Sequence, residues 1–151
     1  MNKLINQVAE LSVSYRPAIS DKPVIISVLD AYLKFIEFFP LESISLQERF
    51  VVMYLNQGNR CLGIFPTSVG GICGTVADIR IILSVALKTA ATQIFLAHNH
   101  PSGNLKPSNA DIQLTDRIKE GARILDIKLL DHLIISPKEG DYFSFAENGL
   151  I

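Results

Sequence analysis

The chain carries almost no excess charge of either sign: 14 Lys and Arg stand against 15 Asp and Glu, a formal net charge of -1. No global positive field is available to hold a phosphate backbone without sequence preference, so DNA as a partner is unsupported by charge. Cysteine is scarce as well. Cys61 and Cys73 form no C-x-x-C pair and are too few for a Cys-rich zinc site. They read as small buried hydrophobes in a reduced, cytoplasmic protein, and the start of the chain has no secretory signal pattern. Long apolar runs are missing too. Charges interrupt every one of them well short of the roughly 20 residues a membrane span requires, so no membrane segment is expected. Glycine-rich phosphate loops, internal repeats, low-complexity tracts and linkers are also absent from the sequence.

What is present suits one cored domain, because 151 residues at 48% apolar content would leave two separate cores marginal. Residues 1–40 are expected to add a strand and a helix to the same core that residues 41–151 build. In the first 16 residues Val8, Leu11, Val13 and Tyr15 alternate loosely, which fits an edge strand or a frayed helix, the strand being preferred. Whether such an edge pairs with another chain is open, and so is the oligomeric state. Ile26, Leu29, Leu33, Ile36 and Phe39 then recur at steps of three and four, predicting an amphipathic helix over 24–38 that Pro40 stops. The run from Phe50 to Leu55, the turn Asn56-Gln57-Gly58-Asn59 and a return strand over 60–67 predict a hairpin. A helix is expected over 76–90, capped by Thr75, and another over 109–125 with Leu114, Ile118, Ala122 and Leu125 inward. Between them Ile94-Phe95-Leu96-Ala97 reads as a central strand covered on both faces, and 127–135 and 142–145 as the last strands. Hairpins mixed with strand-helix-strand units indicate an α/β fold, a mixed sheet sandwiched by helices.

The central strand delivers the chain to His98, where the sequence reads HNHPSGNLKPSNAD. Alternation along a strand projects His98 and His100 from one face, about 6 to 7 Å apart at Cα, so that both imidazoles can converge on one ion. Zinc accepts neutral imidazole nitrogen and carboxylate oxygen, and a catalytic site keeps three protein ligands with water as the fourth. Asp111, in the first turn of the next helix, is a credible third ligand, and Gly103 permits the reversal that brings it back. Each residue also has a plainer explanation. A histidine pair at a strand end is often only hydrogen-bonded, and Ser108-x-x-Asp111 resembles a capping box whose acid suits the helix dipole.

H-x-H followed after seven residues by Ser108 and after two more by Asp111 resembles the JAMM motif of JAB/MPN metalloproteases. The flanking HNHPSG, PSNAD, GGICGT and LLDHLIIS resemble its RadC-like branch, over roughly residues 45 to 150. The resemblance implies a JAB/MPN-like (cytidine-deaminase-like) fold and a Zn2+ site of His98, His100 and Asp111. It also implies a metallohydrolase cleaving an amide, peptide or isopeptide bond in a protein or peptide substrate. The family pattern has a glutamate about fifty residues before the first histidine, and Glu48 falls there. Glu48 is thereby implied as general base, and Ser108 as the hydroxyl that steadies the developing oxyanion.

Other residues invite weaker roles. His132, beside Asp131, reads as a buried histidine with its tautomer fixed by a hydrogen bond rather than a fourth ligand. Asn99 and Ser102 are candidates for bonds that orient the histidines, and Lys106 for contact with an anionic substrate group. The alternative function, also carried by the resemblance, is a RadC-like interaction module of DNA repair or mobile elements without proteolysis. A metal-dependent nuclease would need a carboxylate-rich two-metal cluster, and one acid ligand is too few.

Overall fold

The computed structural model describes residues 11–17, 21–70 and 77–151. Strands β1 (Arg49–Leu55), β2 (Cys61–Val69), β3 (Gln93–Asn99), β4 (Lys128–Ile135) and β5 (Tyr142–Ser144) form a mixed sheet in the order β2-β1-β3-β4-β5, with helices α1 (Val28–Phe35), α2 (Ile79–Lys88) and α3 (Asn109–Ile124). Strands β3 and β4 are parallel and joined through α3, while β1 pairs antiparallel with both β2 and β3. The α/β fold with a mixed sheet between helices is the one expected from the pattern of elements.

Strand alternation divides the core in two. Val51, Met53 and Leu55 of β1 and Phe95 and Ala97 of β3 pack with Ala31, Tyr32 and Phe35 of α1. Phe50, Val52, Tyr54, Ile94 and Leu96 face Ile82 and Ala86 of α2 and Ile118 and Ala122 of α3. Both faces of β3 are therefore covered, as its unbroken apolar run requires.

Several local expectations are corrected. The helix over 24–38 is shorter: α1 starts after Ser27, which closes a capping box with Asp30, and one 3-10 turn (Ile36–Phe38) leads to Pro40. Of the predicted stripe Ile36 and Phe39 turn inward, but Ile26, Leu29 and Leu33 are 81%, 53% and 52% exposed, and the buried face of α1 is Ala31, Tyr32 and Phe35. The helix carries two apolar stripes, and the aromatic one wins because Tyr32 stacks on Tyr142 at 4.8 Å and accepts a hydrogen bond from Gly140 N–H. Helix α2 begins at Ile79 with Asp78 as its cap, and the expected cap Thr75 lies outside the described residues, as does Cys73. Residues 11–17 form no strand, consistent with Leu11 and Val13 being exposed, and residues 1–10 lie outside the described residues. Cys61 is buried in β2, and burial pushes its thiol pKa up. Among the described residues no helix is long and apolar enough to cross a membrane.

The β3–β4 pair is irregular at one point. Ile94 lies opposite Leu129 but Phe95 opposite Asp131, leaving Leu130 as an extra residue. A bulge of one residue reverses the parity of the strand beyond it. His132 consequently pairs with Leu96 and turns onto the α2/α3 side, the side that His98 occupies.

Candidate metal centre

The centre forms where β3 ends. His98 is the last inward residue of the strand before His100 on the same face, and the chain then turns through Gly103, whose φ of 81° and N–H bond to His100 O give the expected reversal. Helix α3 begins with a full capping box. Ser108 Oγ accepts from Asp111 N–H at 3.0 Å, and Asp111 Oδ2 accepts from Ser108 N–H at 2.7 Å. The capping side chain also reaches the expected ligands: Asp111 Oδ1 stands 3.3 Å from His98 Nε2 and Oδ2 3.4 Å from His100 Nε2. Register brings in the fourth residue. Phe50 lies opposite His98 in the antiparallel β1–β3 pair, so Glu48, two residues earlier, comes opposite His100. Its Oε1 is 4.0 Å from His98 Nε2 and 3.9 Å from His100 Nε2. Among the described residues Glu48, His98 and His100 are a group that could hold a metal ion, with ligand atoms within 4.8 Å of one another.

Hydrogen bonds determine which nitrogens are available. Thr115 spends its hydroxyl proton on Asp111 O at 2.6 Å, so toward His132 Nδ1, also at 2.6 Å, it can only accept. Neutral His132 then has its lone pair on Nε2, which must accept from His98 Nδ1–H at 2.7 Å. His100 Nδ1–H donates to Asn104 O at 2.5 Å, since a carbonyl has no proton to give. Both ligand candidates, when neutral, therefore carry their lone pair on Nε2, and these two atoms are 3.0 Å apart beside a carboxylate. Two lone pairs at that distance repel unless positive charge lies between them. Burial opposes a proton on His100, but Asp111 and the Asn104 carbonyl outweigh burial and raise its pKa. Burial likewise opposes ionised Asp111, yet the two histidines hold its carboxyl well below the usual carboxylate range.

The nitrogens and carboxylate oxygens are spaced as donors to one small metal ion would be. Ligands about 2.05 Å from a tetrahedral centre lie roughly 3.3 Å from one another, against 3.0 Å between the two Nε2 atoms and 3.3 and 3.4 Å from them to Asp111 Oδ1 and Oδ2 respectively. Glu48, at 3.9 to 4.0 Å, stands farther from both nitrogens than Asp111 does.

His132 is fully buried, and burial, followed by the adjoining His98, holds its pKa well below the usual imidazole range. Its neighbours lock it: Phe145 stacks on its ring at 4.7 Å, Phe50 meets it edge-on, and its backbone N–H donates to Asp131 Oδ1 at 2.7 Å. Its own tautomer is fixed by Thr115, as a buried histidine of the kind the sequence suggested, and it stands behind His98, bonded to that ring's Nδ1. Thr115 was not foreseen. Its signal was the four-residue step from Asp111 along the same helix face. Asn99 bonds the main chain at Ile44, Gln47 and Arg49 rather than either histidine, Ser102 Oγ accepts from Asn104 N–H in the turn, and Lys106 is exposed.

His132→Phe tests the buried chain of bonds. The ring would fill the same aromatic slot, but His98 Nδ1–H would lose its acceptor, and loss of such an orienting partner costs about 10- to 100-fold in metal affinity. Competition against a chromophoric chelator should show that drop, and unchanged affinity would mean the bond does nothing for the ion.

A family model described as RadC-like JAB domain matches residues 26–150. A UPF0758 protein of Porphyromonas gingivalis is 38% identical over 149 residues, covering 99% of this chain and 65% of the relative. Another UPF0758 protein, from Flavobacterium johnsoniae, is 47% identical over 103 residues (68% of this chain, 44% of the relative). One from Aquifex aeolicus is 40% identical over 105 residues (70% and 45%). The chain thus spans from under half to about two thirds of the length of these relatives.

Proposed function

We propose, because this chain belongs to the RadC-like JAB domain family, that it is a cytoplasmic zinc hydrolase acting on an amide, peptide or isopeptide bond. His98, His100 and Asp111 would hold the ion, leaving one position open. Bound there, zinc would acidify water and polarise a carbonyl. Glu48 would take the proton from the attacking water and pass it to the leaving amine. Ser108 Oγ receives the Asp111 N–H but keeps its own proton, so it would donate to the substrate oxygen as negative charge develops.

The observation that carries this reading is the pair of Nε2 lone pairs, forced to converge by the bonds on both Nδ1 atoms and flanked by Asp111. Purified without chelator, the protein should contain about one zinc per chain. In a panel of peptides, isopeptides and simple amides it should cleave at least one bond class, lose that activity to a chelator and regain it with Zn2+. Full zinc content with no cleavage anywhere in the panel would set the hydrolase reading aside in favour of a metal-stabilised interaction module.

A further inference from the structure

Asn99 lies between His98 and His100 in sequence and, by strand alternation, on the opposite face of β3. It is fully buried there, and its amide bonds one segment at three points. Oδ1 accepts from Arg49 N–H at 2.7 Å, while Nδ2 donates to Ile44 O at 2.8 Å and to Gln47 O at 2.9 Å. Gln47 and Arg49 are the residues on either side of Glu48.

The main-chain ladder between β1 and β3 starts at Phe50 opposite His98, and beyond it His100 N–H continues the ladder to β4 by bonding Ile135 O. Glu48 therefore sits just past the last rung. On its other flank the Glu48 carbonyl accepts from Gly70 N–H at 2.7 Å. We propose that Asn99 is the positioning residue for Glu48: its side chain replaces the missing rung, gripping both peptide units that flank Glu48 and so setting the carboxylate beside His98 and His100. Alternation makes one strand serve two purposes. Residues 98 and 100 present nitrogens on one face, while residue 99 aligns the glutamate's backbone from the other. The placement is read from the hydrogen bonds; only its effect on turnover rests on the proposed role of Glu48.

The test uses the whole chain loaded with Zn2+. Since Asn99 bonds neither histidine nor Asp111, Asn99→Ala should keep zinc affinity within about threefold of the parent, short of the roughly 10-fold that loss of a ligand-orienting partner brings. A crystal structure of the variant should show the Glu48 carboxylate displaced by about 1 Å or more, a shift sufficient to cost about 100-fold in turnover. In the double variant with Glu48→Gln the two losses should not add. If Asn99→Ala does not fold, Asn99→Asp keeps the side chain's shape and the acceptor for Arg49 N–H but loses both donated bonds, and the same readings apply. An unmoved Glu48, or a zinc affinity reduced tenfold or more, overturns the proposal. A displaced Glu48 in a protein whose turnover is indifferent to Glu48→Gln upholds the positioning and refutes the general base.

Discussion

Asp111→Asn is expected to release zinc while leaving the fold in place. The amide keeps an oxygen for Ser108 N–H, so the capping box that starts α3 survives. The loss of stability should stay below the ~0.5–2 kcal/mol that outright removal of a cap costs. The negative charge that balances the two histidine nitrogens is lost. Removing a group that itself touches the ion should exceed the effect of removing a group behind it, so affinity should fall by more than about 100-fold, or ~2.7 kcal/mol. Metal analysis after dialysis, read beside a thermal melt of the metal-free protein, separates the two roles. A variant that retained full zinc would show Asp111 to be a cap and nothing more. His98→Ala should lose the ion as completely, because it removes one Nε2 and also leaves His132 Nε2 without its donor.

Glu48→Gln should give the reverse pattern: zinc retained, turnover lost. The side chain keeps its size but can no longer accept a proton, and general-base catalysis is worth about 10²- to 10⁴-fold. Retention follows from distance, since the carboxylate stands 3.9 to 4.0 Å from the Nε2 atoms, outside the roughly 3.3 Å expected between two zinc ligands. Side-by-side zinc titrations of Glu48→Gln and Asp111→Asn decide the matter. If Glu48→Gln lost zinc as completely as Asp111→Asn, Glu48 would hold the ion together with His98, His100 and Asp111, and the base would have to be sought elsewhere.

The two variants probe parts of the centre that differed in legibility. The His98/His100 pair could be read from strand alternation, and Ser108 and Asp111 from the spacing of a capping box, because both features depend on bonds between near neighbours in the chain. Glu48 was placed by resemblance alone. Its approach to the histidines depends on the register of β1 against β3, fifty residues apart, which no local pattern specifies. Helix α1 shows the limit of periodicity: the helical repeat was correct, but with two apolar stripes available, the choice of buried face lay with Tyr142 and Gly140, more than a hundred residues on.

By itself the sequence determined that a strand would end in two histidines on one face and that a capped helix would follow with an acid in its first turn. It did so because alternation and capping are short-range consequences of backbone geometry. The tertiary structure alone decided what surrounds those residues. A bulge at Leu130 turns His132 behind His98, Thr115 completes the chain of bonds that fixes the tautomer, and the reverse face of β3 directs Asn99 to the backbone around Glu48. Each of these depends on which distant segment lies alongside and in what register, and only the packed chain selects that.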